Sequence, residues 1–193
     1  SLLMATNNVR LSVVNSGTVS NGATVYVIAD AGTPNGVGQI LDNQTDAVAE
    51  SETINITAAN LSLAAGSGIG VDVLNTQDNT EFGDINTSIG KLAAVTDSGS
   101  VFLRNVNPTI AGLSIGAVSG MPLTVAGSTT LTPASLSGIT ISDNSGLGSD
   151  AQDSGLDAIA IRAVSNGTTS GSITVTQNIT NNDAGNITLS AEG

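Results

Sequence analysis

Short runs of alternating apolar and polar residues recur from one end of the chain to the other. They include VRLSVV (9–14), ATVYVIA (23–29), TINITA (53–58), NLSLAA (60–65), GSVFLRNV (99–106), LSIGAV (113–118), LTVAG (123–127), GITIS (138–142) and AIAIRAV (158–164). A period of two predicts strands with one buried face. Ile, Val and Thr dominate these runs, and β-branched side chains suit a pleated surface. Between them lie NSG, SNG, GTPNG, DSGS and DNSGLGSD. Such clusters are turn chemistry, because Gly and Asn tolerate positive φ. Two segments, TDAVAESE (45–52) and SIGKLAAV (88–95), carry a faint helical pattern and are expected to form no more than a turn. The pattern predicts an all-β protein.

The last segment repeats itself. Gly171-Ser172-Ile173-Thr174-Val175 returns as Gly185-Asn186-Ile187-Thr188-Leu189, and Ile159, Ile173 and Ile187 are spaced by fourteen. The chain has two Phe, one Tyr and no Trp, so its core must be aliphatic. Sandwiches and barrels usually carry aromatic cores. A solenoid instead needs one aliphatic pair per short strand and small residues at its corners, and each coil completes its core on its neighbours. The expectation is therefore a parallel β-helix (β-solenoid) with protruding loops at 30–52 and 143–157. Ile173, Val175, Ile187 and Leu189 should point inward, and Thr174 and Thr188 outward. No composition shift marks a boundary, so residues 1–193 read as a single β-solenoid domain.

Charge narrows the function. Sixteen acidic residues face four basic ones, for a net charge of −12. Neutralising nucleic-acid phosphates takes Lys and Arg. Arg10, Lys91, Arg104 and Arg162 are too few and too scattered, so no nucleic-acid partner and no anionic-lipid docking are expected. No apolar run reaches the 18 residues of a transmembrane helix, so no membrane insertion is expected. The opening SLLMATNNVR lacks the charged region of a signal peptide and an initiator Met, and the chain reads as a mature product or a piece of something longer. The absence of cysteine does not show a reducing compartment.

Candidate chemistry is sparse. With no His and no Cys, His-based triads, thiol nucleophiles and His or Cys zinc sites are excluded. Lys91 reads as an exposed group on an aliphatic element, and GSGIG (66–70) as a tight corner rather than a nucleotide loop. A paired-carboxylate glycosidase would want aromatic platforms that the chain lacks, so no enzymatic activity is expected. Calcium is the stronger candidate. Asp143, Asp150, Asp153 and Asp157 fall within fifteen residues of a glycine-rich stretch, and hard cations favour clustered carboxylates on flexible loops. The alternative for these four is a solvated acidic loop. A second cluster, Asp72, Asp78, Glu81 and Asp84, is weaker. The NIT triplets at 55, 178 and 186 match glycan acceptor sequences.

NLSLAAGSGIG (60–70), INTSIGKLAAVTDSGSVFLRNV (85–106), LSIGAVSG (113–120), GSITV and GNITLSAEG together resemble the β-strand repeats of filamentous-haemagglutinin-like adhesins and related giant secreted bacterial surface proteins. The likeness spans roughly residues 53–193. It implies a right-handed parallel β-helix at the bacterial cell surface, outside the cell, as a stalk, fibre or adhesive shaft. On that reading the chain is a fragment or repeat unit of a larger surface protein. The expected function is structural: a filament or adhesin shaft built by end-to-end stacking. Its partner is then itself, head to tail, or adjacent repeats of the same chain. The alternative is a loop-mediated module that binds a surface glycan or protein. The outermost strands, VRLSVV and GNITLS, carry one charge between them, Arg10, and so do little to discourage edge pairing.

Overall fold

The computed structural model describes residues 1–18, 20, 22–30, 38–43, 53–70, 84–106, 112–124, 131–142, 157–165, 167, 170–183 and 185–192, with backbone alone at 122–124 and 131–134. The strands are β1 (Leu2–Ala5), β2 (Val9–Leu11), β3 (Val14–Asn15), β4 (Thr24–Ala29), β5 (Ile40–Asp42), β6 (Ile56–Ala65), β7 (Ile85–Thr96) and β8 (Val101–Val106). They continue as β9 (Leu113–Ile115), β10 (Ala117–Thr124), β11 (Leu131–Ser137), β12 (Ile139–Ile141), β13 (Ile159–Val164), β14 (Ile173–Val175), β15 (Ile179–Asn181) and β16 (Ile187–Ala191). The described residues are all-β and contain no helix. SIGKLAAV, with its faint helical pattern, lies wholly inside strand β7.

Parallel register stacks the aliphatic positions into columns. The first column is Leu3, Val27, Leu63, Ala94, Ile139 and Ile179. The second is Val9, Ile40, Ile69, Val101, Ile159 and Ile187. The third is Val14, Ile56, Thr87, Asn105, Ala163 and Ala191. A shorter fourth column joins Val25, Leu61, Leu92, Ile115 and Val175. In sequence order the chain visits columns one, two and three, then returns to column one a layer further on, until six layers are laid down. A layer takes roughly thirty residues, within the range of repeat architectures. The long step from Val101 to Ile159 contains the antiparallel hairpin β10–β11.

The core cluster is made of Val, Leu, Ile and Ala from the inward positions of these columns. Burying each of the larger ones contributes about 1.5–3 kcal/mol. The third column changes chemistry part-way, at Thr87 and Asn105, and buried amide side chains, Asn105 in that column and Asn55 beside it, satisfy the backbone. The Asn105 carboxamide oxygen accepts from Thr87 Oγ1 and Ile89 N, both at 2.9 Å, and its Nδ2 donates to Ile89 O at 3.2 Å. Asn55 Oδ1 accepts from Asn86 N at 2.8 Å, while its Nδ2 donates to Asp42 Oδ1 at 2.6 Å and Leu11 O at 3.1 Å. Both amides are buried, Asn55 just before β6 and Asn105 against Ile89, which lies between the stretches of β7 that pair with β8 and with β9, so they supply bonds that the neighbouring strand does not.

One expectation changes and two others gain detail. Segment 30–52 is not one protruding loop: Ile40–Asp42 forms β5, and Ile40 is fully buried. The fourteen-residue echo does not stack on itself. Ile187 lies on Ile159, whereas Ile173 lies on Leu113 in another face, so fourteen residues are half a layer. GSGIG is a corner, with positive φ at Gly68 and Gly70, and Ile69 between them enters the second column.

Candidate functional site

The sixth layer has an open face. β14, β15 and β16 pair on one side, with β9, β12 and β13, and among the described residues no strand pairs with their other edge. Their register is that of core residues. Ile173 lies on Leu113, Val175 on Ile115, Ile179 on Ile139, Ile187 on Ile159 and Leu189 on Ile161. The lower members are buried, but Val175, Ile187 and Leu189 are 47%, 46% and 39% exposed. The register thus agrees with inward aliphatics flanking Thr174 and Thr188. The exposure shows that these aliphatics are uncovered along the stacking direction.

The first layer differs. β1, β2 and β3 also pair on one side, with β4, β5 and β6. Yet Val9 and Leu11 are only 8% and 1% exposed. The exposed apolar residues there are Val13, between β2 and β3, and Leu2 and Met4, which sit at alternate positions that face outward beside Tyr26 and Ile28. The two ends also differ in charge. Residues 1–18 hold Arg10 and no acid, whereas residues 170–192 hold Asp183 and Glu192 and no base. Glu192 is bound to Arg162 Nη2 at 2.7 Å.

Acidic groups gather at the corner between the first and second columns. Asp157 precedes β13, and its carboxylate accepts from Gly99 N at 2.7 Å and Ser100 Oγ at 3.1 Å, one layer below. Its backbone is tied to the layer above: its N donates to Asp183 Oδ2 at 2.5 Å, and its O accepts from Asn181 Nδ2 at 2.8 Å. Asp157 therefore links three successive layers. Asp97, at the same corner, is held above the usual carboxylate range by burial and, secondly, by the charge of Asp30.

Of the calcium candidates, Asp143, Asp150 and Asp153 lie outside the described residues, and only Asp157 is placed. Asp72, Asp78 and Glu81 also lie outside them, while Asp84 is buried just before β7. Among the described residues no group of three or more acidic, His or Cys side chains is arranged to hold a metal ion. Lys91 is half-buried at an outward position of β7, between Asn60 and Ser114. The three NIT triplets separate: Asn55 is fully buried, whereas Asn178 and Asn186 are exposed.

Sequence reasoning did not find the hairpin 117–137: it divided β10 between the runs 113–118 and 123–127 and assigned no run to β11. Pro122 and Pro133, which fall opposite each other, were the available signal. No protein-family model, curated protein or solved structure matches the chain.

Proposed function

We propose that the six layers are turns of one parallel β-solenoid, and that the chain serves as a structural shaft, a segment of an extracellular fibre or adhesin stalk. The observation that carries this reading is the sixth layer. Its aliphatic side chains keep the register of the core but lie uncovered, beside unpaired strand edges. An edge of this kind templates further β-structure, and exposed apolar surface favours burying it. The element that completes both needs is another layer of the same layout. In the isolated chain that layer comes from a second copy, stacked along the axis. The acid-free first layer with Arg10 is electrostatically suited to meet Asp183 and Glu192. Contact between unlike ends is heterologous, so it continues into a filament unless its rotation closes a ring.

The cell-surface setting comes from the resemblance of the strand runs to secreted adhesin repeats. The physical part of the proposal rests on the stack itself. Electron microscopy and small-angle scattering over a concentration series test it. Particles should lengthen at constant cross-section, and Leu189→Asp should suppress the lengthening without unfolding the chain. A length that stays fixed up to millimolar concentration removes the shaft reading.

A further inference from the structure

The hairpin β10–β11 is spliced into the fifth layer without disturbing it. The chain leaves at Gly116 and returns at Gly138, and Gly138 N donates to Gly116 O at 3.2 Å. Gly116 N bonds Leu92 O at 3.0 Å, and Gly138 O accepts from Ala94 N at 2.9 Å. Ile115 and Ile139, on either side of this stem, lie on Leu92 and Ala94, which are two residues apart in the layer below. Residues 117–137 are thus an insertion at a point where the layer would close without them. Glycine is required at the return: Gly138 has φ 76°, and a Cβ there would lie 1.9 Å from Asn178 O.

The inserted hairpin folds back over the outward side of the first column. Met121 is fully buried there against Ile28 and Ala64, with Tyr26, Val95 and Leu136 at the margin. Ser62 Oγ lies 3.1 Å from Met121 Sδ, and Tyr26 Oη donates to Ser119 O at 2.8 Å. Outward positions on a solvated sheet are normally polar. Here three successive layers place Ile28, Ala64 and Val95 in one outward row. The row continues in register to Met4, which is exposed. In the other direction it continues to Thr140 and Thr180.

The free side of the hairpin is built differently. Pro122 lies opposite Pro133. Proline has no N–H, so this must be a non-hydrogen-bonded pair, with both nitrogens directed to the outer edges of the ribbon. Each edge therefore lacks a donor at that point, a common device against edge-to-edge pairing.

We propose that hairpin 117–137 is a guard against side-by-side association. It covers a self-association surface formed by Tyr26, Ile28, Ala64 and Val95, and it presents a proline-interrupted ribbon in its place. The occupant it excludes is the same surface of a second copy. The row from Met4 to Thr180 carries no charge, so two such rows meet without local repulsion even though the whole chain carries −12. Lateral pairing is then closed and axial contact left open.

The test is a deletion of 117–137 that joins Gly116 to Gly138, with far-UV circular dichroism to confirm the β-fold. In small-angle scattering the deleted chain should show a concentration-dependent doubling of mass per unit length. The full chain should show none. Met121→Asp, which unseats the hairpin but keeps it attached, should shift the same way to a smaller extent. An unchanged cross-section in a folded deletion variant overturns the proposal. If the deletion does not fold, an unchanged cross-section in Met121→Asp overturns it. Axial stacking alters length and not cross-section, so the shaft reading and the guard fail or survive separately.

Discussion

Leu103 and Leu189 offer a direct measure of what it means to lie at the end of the stack. Both belong to one aligned set: Leu103 lies beside Ile161, which in turn lies beside Leu189. Leu103 is 1% exposed and enclosed on both sides, and Leu189 is 39% exposed. Leu103→Ala removes buried carbons and leaves a cavity that a stacked sheet fills poorly, so the cost should be about 3 kcal/mol. Leu189→Ala removes carbons that are only partly out of water and leaves no enclosed void. At about 0.8 kcal/mol per buried methylene the loss should be near 1.5 kcal/mol. Denaturant unfolding of dilute protein, followed by circular dichroism, should show this two-fold ratio at constant slope. Under conditions where copies stack, the Leu189 cost should climb towards that of Leu103, since a covering layer would enclose it. Equal costs in dilute solution would refute the argument, because Leu189 would then be enclosed within a single chain.

Three further outcomes follow from named contacts. Asp157→Ala should cost about 2–3 kcal/mol, the loss of charge-assisted hydrogen bonds to Gly99 and Ser100. Measuring it with calcium and again with excess chelator separates a tie between layers, whose cost is the same in both, from an ion ligand, whose cost falls on chelation. Asn105→Ala should cost about 2–4 kcal/mol in thermal or denaturant unfolding, because it removes three hydrogen bonds in a buried site, from Thr87 Oγ1 and with Ile89 N and O. Asp97 should act against stability at neutral pH. Its folded pKa is raised, so the folded state gains stability as pH falls through that value, and the gain is complete below the unfolded value of about 3.9. Asp97→Asn should therefore be more stable than the parent at pH 7, with the difference shrinking as pH falls. A variant that is less stable at pH 7 would contradict the assignment.

The strands were legible because alternation is a local property. In Val9–Leu11 and in Ile187, Thr188, Leu189 and Ser190 each residue reports its own face through its polarity. Columns were less legible, because register is set by neighbours far away in sequence. The fourteen-residue spacing of Ile159, Ile173 and Ile187 is real, but it joins one pair that stacks and one residue that belongs to a different face. The corner chemistry was hidden for a similar reason. Asp157 sits within an acidic run, which suggests an ion. Its partners, Gly99 and Ser100, are brought to it by the stacking of β13 on β8 and by no feature of its own neighbourhood. Asn105 has the polarity of an outward residue but the parity of Val101 and Leu103, which face inward. It is buried, and its amide bonds Ile89, which lies between the stretches of β7 that pair with β8 and with β9.

The contrast between the ends and the sides connects these observations. Along the axis, the sixth layer leaves apolar side chains at core register and strand edges unpaired. Across the axis, the outward apolar row is covered by an inserted hairpin with proline on both edges. A chain selected only for solubility would blunt both directions, since both carry the same hazard of pairing with a neighbour. Four prolines are present in all, and two of them are opposite each other in this hairpin. None falls in β14, β15 or β16, where one would block the axial edge. The distribution separates the directions: protection is placed where sideways contact would bundle the stacks, and is absent where one more layer would extend them. If that separation is functional, moving a proline to Ala191, whose N–H faces the open edge because Asn186 and Glu192 bond β13, should stop lengthening and leave the cross-section unchanged. Removing Pro122 and Pro133 together should promote sideways contact and leave length unchanged. Scattering reads the two quantities from the same curve, and an exchange of these effects would show that the directional argument is wrong.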